Sequence, residues 1–178
     1  MDKYAEIRHL VKQGDLILFH GHSAVSRIIQ EADDDAYWNH IGVVGEIAKS
    51  LFIIDSNAFG VKPERLSSRV RKYESGDFLV IRSTKKIKEI ATALEKLLKY
   101  SDTHKIKYDY KNGIKALLNR FFFTSFEVHQ TKDRKICSMF VYEYAVELDM
   151  IHNVIDNDRL FFPEDYIRYK KDIKTITP

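Results

Sequence analysis

The chain has 178 residues, 44% of them hydrophobic, with 11 Phe, 10 Tyr and 1 Trp; that is enough apolar surface for one folded domain and excludes a disordered chain. Seven Gly, three Pro and one Cys exclude collagen-like sequence, a disulfide framework and a multi-cysteine zinc module. The formal charge of +3 is unevenly spread: residues 1–61 carry 5 basic and 9 acidic groups, residues 62–120 carry 16 and 7, and residues 121–178 carry 8 and 10.

Residues 2–12 predict a short amphipathic helix, with Tyr4, Ile7, Leu10 and Val11 at helical spacing. Gly14-Asp15 breaks it, and Leu16 to Phe19 reads as a buried strand. Residues 23–31 fit a helix opened by Ser23, with Val25, Ile28 and Ile29 inward. Two β-rich runs follow, His40 to Val44 and Leu51 to Asp55, joined by a hairpin connection. Pro63, Glu64 and Leu66 suggest one helical turn, and Asp77 to Arg82 is a further strand. The strongest helix covers 85–100, with Ile87, Ile90, Ala91, Leu94, Leu97 and Leu98 on one stripe. A shorter helix is expected over 112–120. Residues 137–149 predict a helix with Met139, Phe140, Tyr144 and Leu148 toward a core, and a terminal helix is capped near Pro163. Strands cluster early and long helices late, which predicts an α+β fold, an antiparallel sheet packed against helices in a single domain spanning 1–178. No apolar run approaches ~20 residues and the N-terminus lacks a signal-like apolar core, so a reduced, cytoplasmic protein is expected.

The basic middle third has two readings. One is a face for nucleic acid or anionic lipid. The other, preferred, is a solvated helix surface, so no nucleic-acid partner is expected.

Cys137, the only thiol, precedes a predicted helix. A thiol there feels the positive end of the helix dipole, which favours the thiolate; the plain alternative is a small buried hydrophobe. His40 starts a strand beside a polar loop, where catalytic side chains are commonly displayed. If the hairpin centres between Ile47 and Ala48, His40 lies directly opposite Asp55 on one face, ~5 Å apart, close enough for a carboxylate to orient an imidazole. A one-residue slip would destroy that pairing. Cysteine, histidine and carboxylate together supply a nucleophile, its base and an orienter for acyl transfer. In that role Cys137 is expected to be partly accessible. His20-Gly21-His22 is a metal-chelating pattern, with Asp33, Asp34 and Asp35 nearby in sequence, but no third ligand at a convincing spacing, so neither metal nor cofactor is expected.

The segments GDLILFHGHSAVSRII, WNHIGVV, FIIDSNAFGVKPERL, KYDY and KICSMFVYEYAVELDM, in that order, resemble the circularly permuted NlpC-type papain-like hydrolases, and most of all the YiiX-like permuted amidase group. The resemblance spans residues 14–150. It implies Cys137 as nucleophile, His40 as base, Asp55 as third member, and Tyr108 lining the oxyanion site beside the Cys137 backbone N–H. It departs from the family at Met139, where Glu is common, at Asn39, where Ser is usual, and in a longer stretch from Asn119 to Arg134. The implied activity is a cysteine hydrolase or acyltransferase acting on a peptide or isopeptide amide or a lipid ester. Phe121, Phe122, Phe123 and Phe126 read first as core residues and second as a wall for an acyl chain. The alternative is a catalytically inactive binding module of the same fold that uses the basic face.

Overall fold

The computed structural model describes residues 3–22, 26–27, 30–31, 36–57, 60–74, 76–109, 134–152, 162–171 and 174–176. Gly14 and Asp15 set the start of its sheet. Gly14 holds φ at +88°, a conformation open to glycine, and a Cβ there would stand 2.0 Å from Ile90 Cγ2. Asp15 is buried and bound by the fork of Arg82, Nε to Oδ1 at 2.8 Å and Nη2 to Oδ2 at 2.6 Å. A buried carboxylate needs such charged donors.

The strands are β1 Leu16–Phe19, β2 His40–Ile47, β3 Ser50–Asn57, β4 Gly60–Arg65, β5 Phe78–Arg82, β6 Lys107–Tyr108, β7 Arg134–Lys135 and β8 Lys174–Ile176. Six of them form an antiparallel sheet in the order β4-β3-β2-β1-β5-β8, and β6 pairs with β7 in parallel. The helices are α1 Lys3–Arg8, α2 Leu66–Val70, α3 Ile87–His104, α4 Cys137–Glu147 and α5 Asp165–Arg168.

Strand alternation separates two cores. Leu16, Leu18, Ile41, Val43, Ile54, Leu79 and Ile81 face the long helices and pack on Ile90, Leu94, Leu97, Phe140, Val141 and Tyr144. Ile17, Phe19, Val44, Ile53, Phe78 and Val80 face the other way, onto Ile7, Val11, Leu66 and Val70. The sheet is therefore covered on both faces, and Tyr144 stitches α4 to its start by donating to Gly14 O at 2.7 Å.

Several expectations are corrected. The stripe of α3 is Ile90, Ala93, Leu94, Leu97 and Ser101. Ala91 and Leu98 turn outward, and Ile87, 82% exposed, sits in the first turn, beyond the packed surface. Pro63 belongs to β4, paired with Ile54, and the helical turn starts only at Leu66; β4 is an edge strand, where a residue without an N–H is tolerated. Strand β8 on β5 was not expected. The terminal helix is only Asp165–Arg168. Of the helix expected over 23–31, residues 26–27 and 30–31 are described, and they are helical. The helix over 112–120, Phe121, Phe122, Phe123, Phe126 and Asp33 to Asp35 lie outside the described residues. Among the described residues, no helix is long and apolar enough to cross a membrane. The basic middle third is partly neutralised: Arg69 pairs with Asp55 and Glu64, Lys72 with Glu64, Arg82 with Asp15 and Lys96 with Glu147.

Candidate functional site

The hairpin β2–β3 carries two of the three candidate groups. Its ladder sets Val43 against Ile54 and Ile47 against Ser50, so its centre lies between Ala48 and Lys49, one residue later than expected. Both turn residues have positive φ, +48° and +63°, the pattern of a tight two-residue type I′ connection. Neither is the Gly or Asn that advertises such a turn, which is why the sequence misplaces it. His40 is therefore not directly opposite Asp55. The register changes by two residues, and two is the side-chain period of a strand, so both groups stay on the same face as diagonal neighbours. Continued one step, the ladder sets Asp55 across from Gly42. A Cβ on Gly42 would stand 3.1 Å from Asp55 Cβ and 2.8 Å from Ile53 Cγ1. The bare backbone leaves the space in which the two side chains meet.

His40 Nε2 lies 2.6 Å from Asp55 Oδ2. Asp55 has no exposed surface and three partners: His40, Arg69 Nη2 at 2.8 Å from Oδ2, and Asn57 Nδ2 donating to Oδ1 at 3.1 Å. Burial alone would raise its pKa, but the charge and hydrogen bond of His40, then Arg69 and Asn57, outweigh burial and hold the carboxyl below its ordinary range. For His40, burial works toward the neutral ring. Cys137 and Asp55 overcome it through charge and hydrogen bonding, leaving the imidazole well above its usual pKa. Arg69 and Asn57 escaped the sequence reading. Asn57 follows Asp55 by two positions on the same strand face, a signal that was available; Arg69 arrives from α2, which no local pattern links to Asp55.

Cys137 is the first residue of α4. It packs with the long-helix core, whereas Arg69 belongs to α2 on the opposite face of the sheet. His40 occupies the first position of β2, and a strand end is where groups from the two faces can meet. With Nε2 committed to Asp55, Nδ1 is the ring nitrogen left for the thiol. Two further bonds fix the start of α4: Ser56, next to Asp55, donates to Lys135 O at 2.7 Å, and Tyr166 donates to Ser138 O at 2.6 Å. Cys137 is 5% exposed, against the expectation of a partly accessible thiol, because the whole first turn of α4 packs inward with Ser138, Met139 and Phe140. Tyr108 lies in the backbone of β6, which pairs with β7 two residues before Cys137; its side chain lies outside the description.

His20 and His22 stand at the end of β1. His22 Nε2 is 2.8 Å from Asp77 Oδ2, so the third group that the sequence reading did not find is an aspartate at the entrance to β5. Between the two histidines, Asn39 clasps the Gly21 backbone, accepting from its N–H and donating to its carbonyl, each at 3.0 Å.

No protein-family model matches this sequence, and no curated protein matches it. A solved structure does: the crystal structure of metalloprotein yiiX from Escherichia coli O157:H7, DUF1105, with a TM-score of 0.64 and 16% sequence identity, over 93% of this chain and 96% of that chain. The two proteins share a fold. The likeness covers most of both chains. At that identity it carries architecture alone, and the chemistry rests on this chain's own residues.

Proposed function

We propose that this protein is a thiol-dependent hydrolase or acyltransferase of permuted papain-like design, with Cys137 as nucleophile, His40 as base and Asp55 as orienter. The observation that carries the reading is the position of His40: Nε2 held by a buried carboxylate at 2.6 Å, with Cys137 as the ring's second hydrogen-bonding partner. A structural histidine would be satisfied by either contact; a base needs both.

In this reading the Cys137 sulfur attacks a carbonyl carbon, and the proton it gives up resides on His40. The imidazolium returns that proton to the leaving nitrogen or oxygen as the C–N or C–O bond breaks, leaving a thioester on Cys137. His40 then takes a proton from water, whose oxygen attacks the thioester, and the protonated sulfur departs. A different acceptor at that step makes the reaction a transfer. The charge developing on the carbonyl oxygen is met by the Cys137 N–H, one of the first N–H groups of α4, which have no partner within the helix. Substrates are amides of peptide or isopeptide type, or lipid esters.

The binding-module alternative loses ground on the ion pairs, which occupy Arg69, Lys72, Arg82 and Lys96 of its basic face. The deciding experiment is labelling of the intact protein with an acyl-type electrophile, read by mass spectrometry. A single adduct on Cys137 that hydrolyses with time, and is absent in His40→Ala, supports the reading. A thiol that reacts no faster in the wild type than in His40→Ala defeats it and returns the binding module.

A further inference from the structure

The geometry points to a second site at the end of β1: His20, His22 and Asp77 form a three-ligand site for one divalent transition-metal cation of the zinc type. The donor atoms of the three side chains all lie within 4.8 Å of one another. Two ligands ~2.0–2.2 Å from one zinc ion at a tetrahedral angle stand ~3.3–3.6 Å apart, so closure takes side-chain movements of about 1 Å. Two imidazoles and one carboxylate are a donor set suited to zinc and its first-row neighbours, with a fourth position left for water.

The surroundings prepare the ligands. His20 Nδ1 lies 2.6 Å from Tyr37 O. Gln30 Nε2 lies 2.8 Å from the same Nδ1, so this nitrogen is taken up by Tyr37 and Gln30 and Nε2 is the ring nitrogen left for an ion. Backbone capture of the second ring nitrogen is how proteins orient metal-binding histidines. The ring is also stacked on Tyr37, with centroids 4.0 Å apart, and Gln30 Nε2 donates to the same carbonyl at 3.2 Å. Asp77 is held by Glu74 N–H at 2.6 Å, and its own carbonyl accepts from His20 N–H at 2.8 Å. Two of the ligands are thus tied backbone to backbone across β1 and β5. His22, 55% exposed in its side chain, is the entry point for the ion. Binding replaces the His22–Asp77 hydrogen bond by two metal–ligand bonds, with the proton on His22 Nε2 passing to Nδ1 or to solvent.

The site sits one residue beyond Phe19, the partner of His40 across β1 and β2, and Asn39, beside His40, clasps Gly21 between the two ligands. Its role follows from placement: the ion pins the end of β1 to the start of β5 behind the strand that carries His40.

The test uses metal-stripped Cys137→Ser protein, so that the thiol does not compete, titrated with Co2+ and Zn2+. One equivalent should survive desalting, the cobalt spectrum should lack a thiolate charge-transfer band, and Tm should rise with zinc. His22→Gln and His20→Gln should each weaken binding about tenfold or more, while His9→Gln leaves it unchanged. Because the His22 side chain is half in solvent, its substitution does not endanger the fold. Failure to retain metal, equal affinity in His22→Gln, or metal held by the wild type and lost in Cys137→Ser would each overturn the site.

Discussion

Asp55 faces Gly42 across the β2–β3 hairpin, and the side chain that Gly42 lacks is what admits the carboxylate to His40. A methyl group there would meet Asp55 Cβ at 3.1 Å and Ile53 Cγ1 at 2.8 Å. Both neighbours are buried and have little room to yield. Gly42→Ala should therefore cost about 1–3 kcal/mol, as overpacking does, and slow the reaction of Cys137 with electrophiles by displacing Asp55 from His40. Thermal melts and labelling rates check this. An alanine variant with wild-type Tm and wild-type labelling would show that the gap at Gly42 does not matter.

The three candidate residues should fail unequally. Cys137→Ala should leave no acyl adduct. His40→Ala should lower the labelling rate by roughly 10²–10⁴, the range of a positioned base. Asp55→Asn should fall between, because the amide oxygen still accepts from Nε2–H while the negative charge is lost. Single-turnover rates with an activated thioester or ester measure the order. A wild-type rate in Asp55→Asn would remove Asp55 from the mechanism.

His40 should titrate above the ordinary histidine range, and the titration should move down in Cys137→Ser and in Asp55→Asn, since both partners raise it. Imidazole proton shifts in NMR read it directly. The stability consequence has a fixed sign. A raised folded pKa means that the imidazolium stabilises the fold below the unfolded value of ~6.5, and that this contribution fades as pH climbs through the folded value. The stability advantage of wild type over His40→Gln should therefore shrink toward alkaline pH.

Arg69→Met should move the acid-unfolding midpoint to higher pH. Arg69 is one of the groups that keep the Asp55 carboxyl below its usual range. A lowered carboxyl stabilises the fold above ~3.9, and this is lost as pH falls through the folded value. Without Arg69 that loss begins at higher pH. In an Asp55→Asn background the same substitution should move the midpoint less, because only the pair with Glu64 is then lost, and the difference isolates the Asp55–Arg69 pair. An equal shift in both backgrounds would refute the coupling.

Local pattern in the sequence was sufficient for the elements that position the site. Alternation and β-branched runs place β1, β2, β3 and β5 within a few residues, and helical spacing finds α3 and α4, because these periods are properties of a strand or helix alone. The candidate trio also came from the chain itself: Cys137 at a helix start, and His40 and Asp55 sharing a strand face, an odd-even relationship that survived the error in register. The register was decided by backbone at Ala48 and Lys49, whose left-handed turn their side chains do not announce. Strand β4 holds a proline because the assembled sheet leaves it at an edge. Arg69 reaches Asp55 from 14 positions away, and Asp77 reaches His22 from 55. Both are meetings of elements made when the sheet closes, and contacts between distant segments leave no period in a single sequence. The burial of Cys137 is of the same kind, since the packing of α4 against the sheet, not the composition of its first turn, sets how much of the sulfur meets solvent.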